Sequence, residues 1–294
     1  MLERGWLSSN NILVVDSKGA TLIDSGYVSH ATQTEALVRH ALQGRRLTRL
    51  INTHLHSDHC GGNATLQRAF GCQLWIPPGQ WEAVKRWDIG ALSYAPTGQQ
   101  CDYFVPDRAL EPGSSIEIGG RPWSILGAPG HDPHSVVLFD SRDGVLVSAD
   151  ALWENGFGIV FPELEGHSAF GDVAAAFDLI EALQARVAIP GHGRPFTDIG
   201  AALGRARRRL DAFVADPVRH ARHAGKVLIK FRLLERQRET EQSLLAWASG
   251  VWYLRTIHER YFYSQPAQAW YIELMDDLCR VGALRRVGQE IVNT

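Results

Sequence analysis

The sequence predicts an α/β core followed by a helical C-terminal unit, and three observations predict it. Apolar runs of strand length recur between helical stretches as far as residue 200, the pattern of strands and helices packed in layers. From Gly200 onward the apolar spacing is helical. Charge divides at the same place. Residues 1–200 hold 14 Lys and Arg against 22 Asp and Glu, and residues 201–294 hold 16 against 10, so −8 becomes +6 in a chain of net −2. Two units follow, 1–200 and 201–294. At 294 residues and 45% hydrophobic content, there is chain enough for one large core and an appendage.

Taken in order, Asn11 to Val15 and Ala20 to Asp24 read as extended runs joined by the turn Ser17-Lys18-Gly19. Ser29 is the expected cap of a helix to about Gln43, with Ala36, Leu37, His40 and Ala41 on one face. A strand at 47–53 leads into a histidine-rich segment, and a helix follows through Phe70 until Gly71 stops it. Residues 72–76 read as a strand, Gln80 to Trp87 as a short helix, and 93–113, rich in Pro, Gly and Gln, as a long loop. Alternation returns at 115–118, 122–127, 136–139 and 145–147. Trp153 to His167 is aromatic and irregular; a helix at about 170–184 precedes the strand Arg186 to Ile189.

Beyond Gly200, helices are expected at Ala202 to Ala215, Val227 to Gln237, Thr240 to Ala248 and Leu254 to Tyr263, with breaks at Asp216-Pro217 and His223-Ala224-Gly225. Gly282 to Ile291 has the pattern of a small hairpin. The stretch Ala20 to Asp24 echoes Gly144 to Asp150, which points to two related halves.

Cys60, Cys72, Cys101 and Cys279 form no CxxC pair and no disulfide framework, which favours a reducing cytosol. The first residues lack the basic-then-apolar pattern of a signal peptide, and no apolar run approaches the roughly 20 residues of a membrane span. A cytoplasmic protein without membrane contact is expected.

The chemistry concentrates in His54-Leu55-His56-Ser57-Asp58-His59, four metal-binding side chains at the end of an apolar run. On extended backbone, residues two apart point the same way, so His54 and His56 can grip one ion; Asp58 and His59, at the start of the next helix, can turn toward another. Gly61 and Gly62 let backbone pack close beneath. Three later islands, Gly130-His131, Asp150 and Gly191-His192, also follow β-like runs. Imidazoles with carboxylates and no ligating cysteine suit zinc, with iron or manganese as alternatives.

These segments resemble, in order and spacing, the five-part signature of the metallo-β-lactamase fold superfamily, over about residues 10 to 195. The resemblance implies a four-layer αββα sandwich, here with a C-terminal α-helical domain of winged-helix-like character. It implies two divalent metal ions: His54, His56 and His131 on the first, Asp58, His59 and His192 on the second, and Asp150 bridging. It also places Asp24 behind the ligands, in support of them. True β-lactamases of this fold generally lack the bridging aspartate and are exported, so this chain looks like the glyoxalase II and lactonase branch.

The implied activity is a dinuclear metal-dependent hydrolase that attacks a carbonyl of a small-molecule acyl substrate (thioester, ester or lactone) with a hydroxide shared by the two ions. Such ions lower the pKa of water from about 15.7 toward about 7. Asp58 is the candidate catalytic residue, orienting the nucleophile and taking its proton. Trp153, Phe157 and Phe161 are candidates for an apolar substrate wall, with core packing as the alternative, and His167 for a substrate contact. His134, three residues past His131, is read as packing, Cys60 as a small buried side chain, and His220, His223 and His258 as packing or surface residues. No Lys or Arg occurs between Ala151 and His167, a departure from glyoxalase II that argues against a glutathione thioester.

Two other activities of the same fold compete. A metal-dependent ribonuclease or phosphodiesterase would use the basic end and Arg205-Ala206-Arg207-Arg208-Arg209, but the four lysines Lys18, Lys85, Lys226 and Lys230 make a poor nucleic-acid surface. An iron-dependent oxidoreductase is compatible with the ligand set. The basic run is otherwise read as a solvated face or as pairing with the acidic core. Trp247, Trp252, Leu254 and Ile257 are expected to pack the appendage or to form a homodimer contact.

Overall fold

The computed structural model describes residues 1–294. Its first sheet runs, in spatial order, β1 (Ile12–Asp16), β2 (Gly19–Ile23), β3 (Leu47–Ile51), β4 (Gln73–Ile76) and β5 (Arg108–Ala109). β1 and β2 are antiparallel, and β2 through β5 are parallel. The second sheet contains β6 (Ser115–Ile118), β7 (Arg121–Gly127), β8 (Val136–Asp140), β9 (Val145–Ala149) and β10 (Val187–Pro190), ordered β10-β9-β8-β7-β6. β6 to β9 form an antiparallel meander, and β10 returns parallel to β9.

Alternation of side chains along each strand builds the layers. Ile23 and Ile51 point inward and meet Ile125, Val136, Leu138 and Val147 of the facing sheet. Their neighbours Leu22 and Leu50 point outward, onto Val38 and Leu42 of α1 (Ala31–Leu42). Beyond α1 come the single turn α2 (Ser57–Cys60), then α3 (Asn63–Phe70), α4 (Trp81–Arg86), α5 (Tyr94–Thr97) and α6 (Phe161–Glu165). On the other outer face, Val137, Leu146 and Ala188 pack under Phe177 and Ile180 of α7 (Phe170–Ala182) and Leu203 of α8 (Ile199–Ala215). The result is the four-layer αββα sandwich. All five residues of β8 are buried, which explains its unbroken apolar run.

The C-terminal region contains α9 (Pro217–Arg236), α10 (Glu241–Gly250), α11 (Trp252–Tyr261) and α12 (Ala267–Arg280). With them goes a three-stranded sheet, β11 (Arg238–Thr240), β12 (Leu284–Val287) and β13 (Glu290–Asn293), ordered β11-β13-β12. Its core is Leu228, Leu233, Leu254, Ile257, Trp270, Tyr271 and Leu274. Trp247 stacks beneath Arg232 and Trp252 remains 40% exposed. Residue 200, the expected unit boundary, lies in the first turn of α8, and Ala202, Ala206, Leu210 and Phe213 of that helix bury in the same cluster as α7.

Several local expectations change. Ser29 lies in a 3-10 turn and caps nothing, because the chain tightens over Val28–His30 before α1 begins. The loop at 93–113 contains α5 and the short edge strand β5. Asp216-Pro217 is a true break: Asp216 accepts from the Arg219 amide at 3.2 Å and Pro217 opens α9. His223-Ala224-Gly225 is not a break, since α9 runs through it. A Cβ at Gly225 would lie 2.9 Å from Leu274 Cδ1 and 3.2 Å from Trp270 Cη2, so this glycine lets α12 approach. No helix is long and apolar enough to cross a membrane.

β2, β3, β7, β9 and β10 all end at one edge of the sandwich, where Asp24, the His54–His59 segment, His131, Asp150 and His192 follow.

Candidate metal centre

Past β3 the chain bends at Thr53 and His54 and returns to extended backbone at His56, and this path brings His54 and His56 into one group with His131; α2 then carries Asp58 and His59. A Cβ on Gly61 would collide with the Val28 amide, and one on Gly62 would lie 2.5 Å from the Ser25 carbonyl, so backbone does pack tightly beneath this turn.

The seven candidate ligands come together in two adjoining groups. His54, His56 and His131 form one; Asp58, His59, Asp150 and His192 form the other. Asp150 lies between them. Its Oδ2 is 3.5 Å from His131 Nε2 and 3.8 Å from His192 Nε2, while its Oδ1 is 3.4 Å from His59 Nε2. Asp58 Oδ2 is 3.0 Å from His192 Nε2 and 3.9 Å from His59 Nε2. Ligands at about 2.0–2.1 Å around a tetrahedral ion are about 3.3 Å apart, so these separations fit donors of a common cation.

Hydrogen bonds from behind fix which ring nitrogen faces the site. His59 Nδ1 donates to Asp24 Oδ2 at 2.8 Å, leaving Nε2 directed at the group. His131 Nδ1 donates to the Ile159 carbonyl at 2.5 Å. His54 Nδ1 donates to Thr53 Oγ1 at 3.2 Å, and Thr53 Oγ1 in turn donates to Asp24 Oδ2 at 2.9 Å. Asp24 also accepts from the Thr53 amide at 2.9 Å and has φ +59, left-handed backbone that a non-glycine residue seldom adopts. Trp153 Nε1 donates to Asp150 Oδ1 at 3.1 Å.

The electrostatics call for a cation. Burial, then the surrounding imidazoles, pushes His54 well below the ordinary imidazole range, and burial with His131 pushes His56 down to about 4. For His59 burial is outweighed by Asp150, Asp24 and Asp58, which hold it well above that range. Burial opposes ionisation of Asp58 and Asp150 too, but His59 and His192 hold both below the usual carboxylate range. Asp24, Asp58 and Asp150 pair only with histidines; no Lys or Arg neutralises them. In addition, the buried His54 Nε2 and His59 Nε2 have no hydrogen-bond partner. Leaving such an atom unpaired costs about 1–3 kcal/mol. Divalent ions would satisfy both the orphaned nitrogens and the missing positive charge.

A cavity of about 450 Å³ opens onto these groups. Trp153 and Phe161 line it, Phe161 lying 5.0 Å from the His56 ring. Phe157 also lines it but is buried in the core, its ring centroid 5.3 Å from that of Phe177. His167 is corrected: it is exposed beyond α6 and does not line the cavity. His134 packs at Gly79, and Cys60 is buried with Sγ 3.1 Å from Tyr94 Oη.

Other residues of the site were not foreseen. Trp6 stacks flat on His192, centroids 5.2 Å apart at 9°. Val227, Leu228 and Phe231 of α9 roof the cavity, and Arg209 and His223 stand at its side. An apolar face on α9 is legible in the sequence, but what it covers is not. Trp6 carries no signal at all in a single sequence.

The family model described as metallo-beta-lactamase superfamily matches residues 4–192. Among curated proteins, a hydroxyacylglutathione hydrolase from Rhodopseudomonas palustris is 31% identical over 142 residues, 47% of this chain and 48% of that protein. The hydroxyacylglutathione hydrolase GloC of Haemophilus influenzae is 27% identical over 200 residues, 63% of this chain and 84% of that one. The chain spans about half the length of curated relatives such as the Rhodopseudomonas protein. A solved beta-lactamase domain protein from Burkholderia ambifaria covers 100% of this chain and 90% of its own at TM-score 0.61 and 21% identity, a likeness of fold that includes the C-terminal region.

Proposed function

We propose that this chain, which belongs to the metallo-beta-lactamase superfamily and is a metal-dependent hydrolase, cleaves the acyl bond of a thioester, ester or lactone at a pair of divalent ions. One observation carries the dinuclear reading: the Asp150 carboxylate reaches both donor groups, 3.5 Å from His131 Nε2 and 3.8 Å from His192 Nε2. His54, His56 and His131 would hold one ion, Asp58, His59 and His192 the other, with Asp150 common to both. Zinc is the first choice for this nitrogen and oxygen set, ahead of iron and manganese.

Bound ions supply Lewis acidity toward a carbonyl and lower the pKa of water. The chain's own groups do the rest. Asp58, kept ionised beside His59 and His192, accepts the proton given up by the attacking water. Asp24 and Trp153 keep His59 and Asp150 from turning away. Trp153, Phe161 and the α9 roof exclude solvent and favour an apolar acyl group. Residues 1–200 would thus carry the chemistry and residues 201–294 cover the cavity.

Thioester stands first because the curated relatives named above hydrolyse an acyl group carried on a thiol, glutathione. The four cysteines form no CxxC pair and no disulfide framework in the sequence, which supports a reducing cytoplasm. The test is a panel of acyl thioesters, esters, lactones, β-lactams and phosphodiesters on enzyme from unsupplemented cells with its metal quantified. Turnover of a carbonyl substrate with two ions per chain is the expected result; cleavage of phosphodiesters alone would reject the reading.

A further inference from the structure

Between α8 and α9 lies a second pocket, of about 560 Å³, lined by Arg208, Arg209, Arg219, Arg222, His223 and Lys226 and by no carboxylate. The helices cross at the Asp216-Pro217 break and turn basic faces toward one another: Arg219, Arg222, His223 and Lys226 recur at i, i+3, i+4 and i+7 of α9. Facing like charges oppose folding, so the arrangement needs an occupant to explain it.

The surrounding acids do not supply one. Arg207, on the other side of α8, turns away to Asp178 and Glu181 at 2.7 and 2.9 Å. Arg222 and Lys226 are held from behind by Asp277, at 2.9 and 3.8 Å. Arg208, Arg209 and Arg219 make no ion pair. Arg209 is the most telling: partly buried, lying against the rings of Phe157 and Phe213, its only side-chain hydrogen bond runs to the neutral His223 Nε2 at 2.6 Å. Arg209 and His223 also line the metal cavity, so the two spaces share a wall.

Building on the acyl hydrolysis argued above, we propose that this pocket holds the phosphate groups of the substrate's carrier: an acyl thioester on a nucleotide-bearing thiol of the coenzyme A class, acyl end at the metals and phosphates on Arg208, Arg209 and Arg219. Three unpaired guanidinium groups, with Arg222 and Lys226 beside them, match several phosphates better than the two carboxylates of glutathione. The apolar roof of Val227, Leu228 and Phe231 suits the arm between them. Water adds across the acyl C–S bond, giving the carboxylic acid and the free thiol, so the pocket holds a group that takes no part in the reaction. A polynucleotide fits less well, because Arg207 is already paired with acids and only four lysines serve the whole chain.

The test titrates desulfo-coenzyme A, which has no thiol to bind metal, into metal-loaded wild type and the Arg208→Glu, Arg219→Glu double variant, both side chains being exposed and unpaired; circular dichroism checks the fold. One-to-one binding that weakens about tenfold or more in the variant and falls steeply with salt is expected. So is a KM for acyl-coenzyme A that rises relative to the KM for the same acyl group on N-acetylcysteamine. No binding, equal binding by both proteins, or tight binding of single-stranded RNA with none of desulfo-coenzyme A overturns the assignment. If desulfo-coenzyme A binds as expected while no thioester is cleaved, the functional reading fails and the site stands. Thioester cleavage indifferent to the carrier, with no binding, does the reverse.

Discussion

Asp24 and His59 form a buried pair, Oδ2 to Nδ1 2.8 Å, and through Thr53 the same carboxylate also reaches His54. One side chain at the end of β2 is therefore hydrogen-bonded, directly or through Thr53, to a candidate ligand in each donor group. Removing it as Asp24→Ala should lower metal content, the His59 group first, and cut turnover about 10- to 100-fold. Asp24→Asn keeps an acceptor and should lose less. Elemental analysis alongside kcat separates the two variants; full metal content in Asp24→Ala would refute the positioning role.

Direct loss of a donor should be harsher. Asp58→Ala, His131→Ala and Asp150→Ala are each expected to lower kcat by about 10³-fold or more, with Asp150→Ala alone weakening both ions. A fully metallated Asp58→Ala enzyme with near-wild-type turnover would remove Asp58 from the mechanism.

Chelation gives a stability readout free of substrate. Metal-free protein should unfold at lower temperature, and added zinc should raise the midpoint with concentration, because ions bind the folded donors alone; a hundredfold excess over Kd corresponds to about 2.7 kcal/mol. A midpoint indifferent to chelator and zinc would contradict the orphaned nitrogens of His54 and His59.

His220 and His223 predict acid sensitivity. Burial and then Arg209 push His220 down to about 4 and His223 to about 3. Each ring also accepts through Nε2, from the Val160 amide at 3.2 Å and from Arg209 at 2.6 Å, which requires the neutral form. Below the unfolded value of about 6.5 the unfolded chain takes up protons that the folded chain refuses, so their contribution is complete above about 6.5 and is lost as pH falls toward 4. The slope is about 1.4 kcal/mol per pH unit for each proton. Denaturant melts from pH 7 to 4.5 should show a shallower loss for His220→Gln than for wild type.

Gly225→Val tests the helix crossing. The added carbons meet Leu274 and Trp270, and overpacking of this kind costs about 1–3 kcal/mol. A shift in urea midpoint at constant m-value would measure it.

Much of this molecule is readable without coordinates because its candidate ligands are local. His54, His56, Asp58 and His59 sit within six residues, and His131, Asp150 and His192 each end a recognisable apolar run, so strand-end placement follows from periodicity. The failures share one cause: they depend on what lies across space. Gly225 looks like a helix stop until Trp270 is seen against it. His167 looks like a contact until α6 carries it to the surface. Trp6 is far in sequence from the His192 it covers. Arg205 to Arg209 reads as one basic run, yet the helix sends Arg207 to the acids of α7 and Arg208 and Arg209 to the opposite pocket.

The crossing of α9 over the strand ends has a consequence for how such a protein can change. Every candidate ligand belongs to the loops or the single-turn α2 at one edge of the sandwich, whereas the ceiling above them is cut from another part of the polypeptide. Replacing that ceiling would alter which molecules reach the donors and leave the donor set itself as it is.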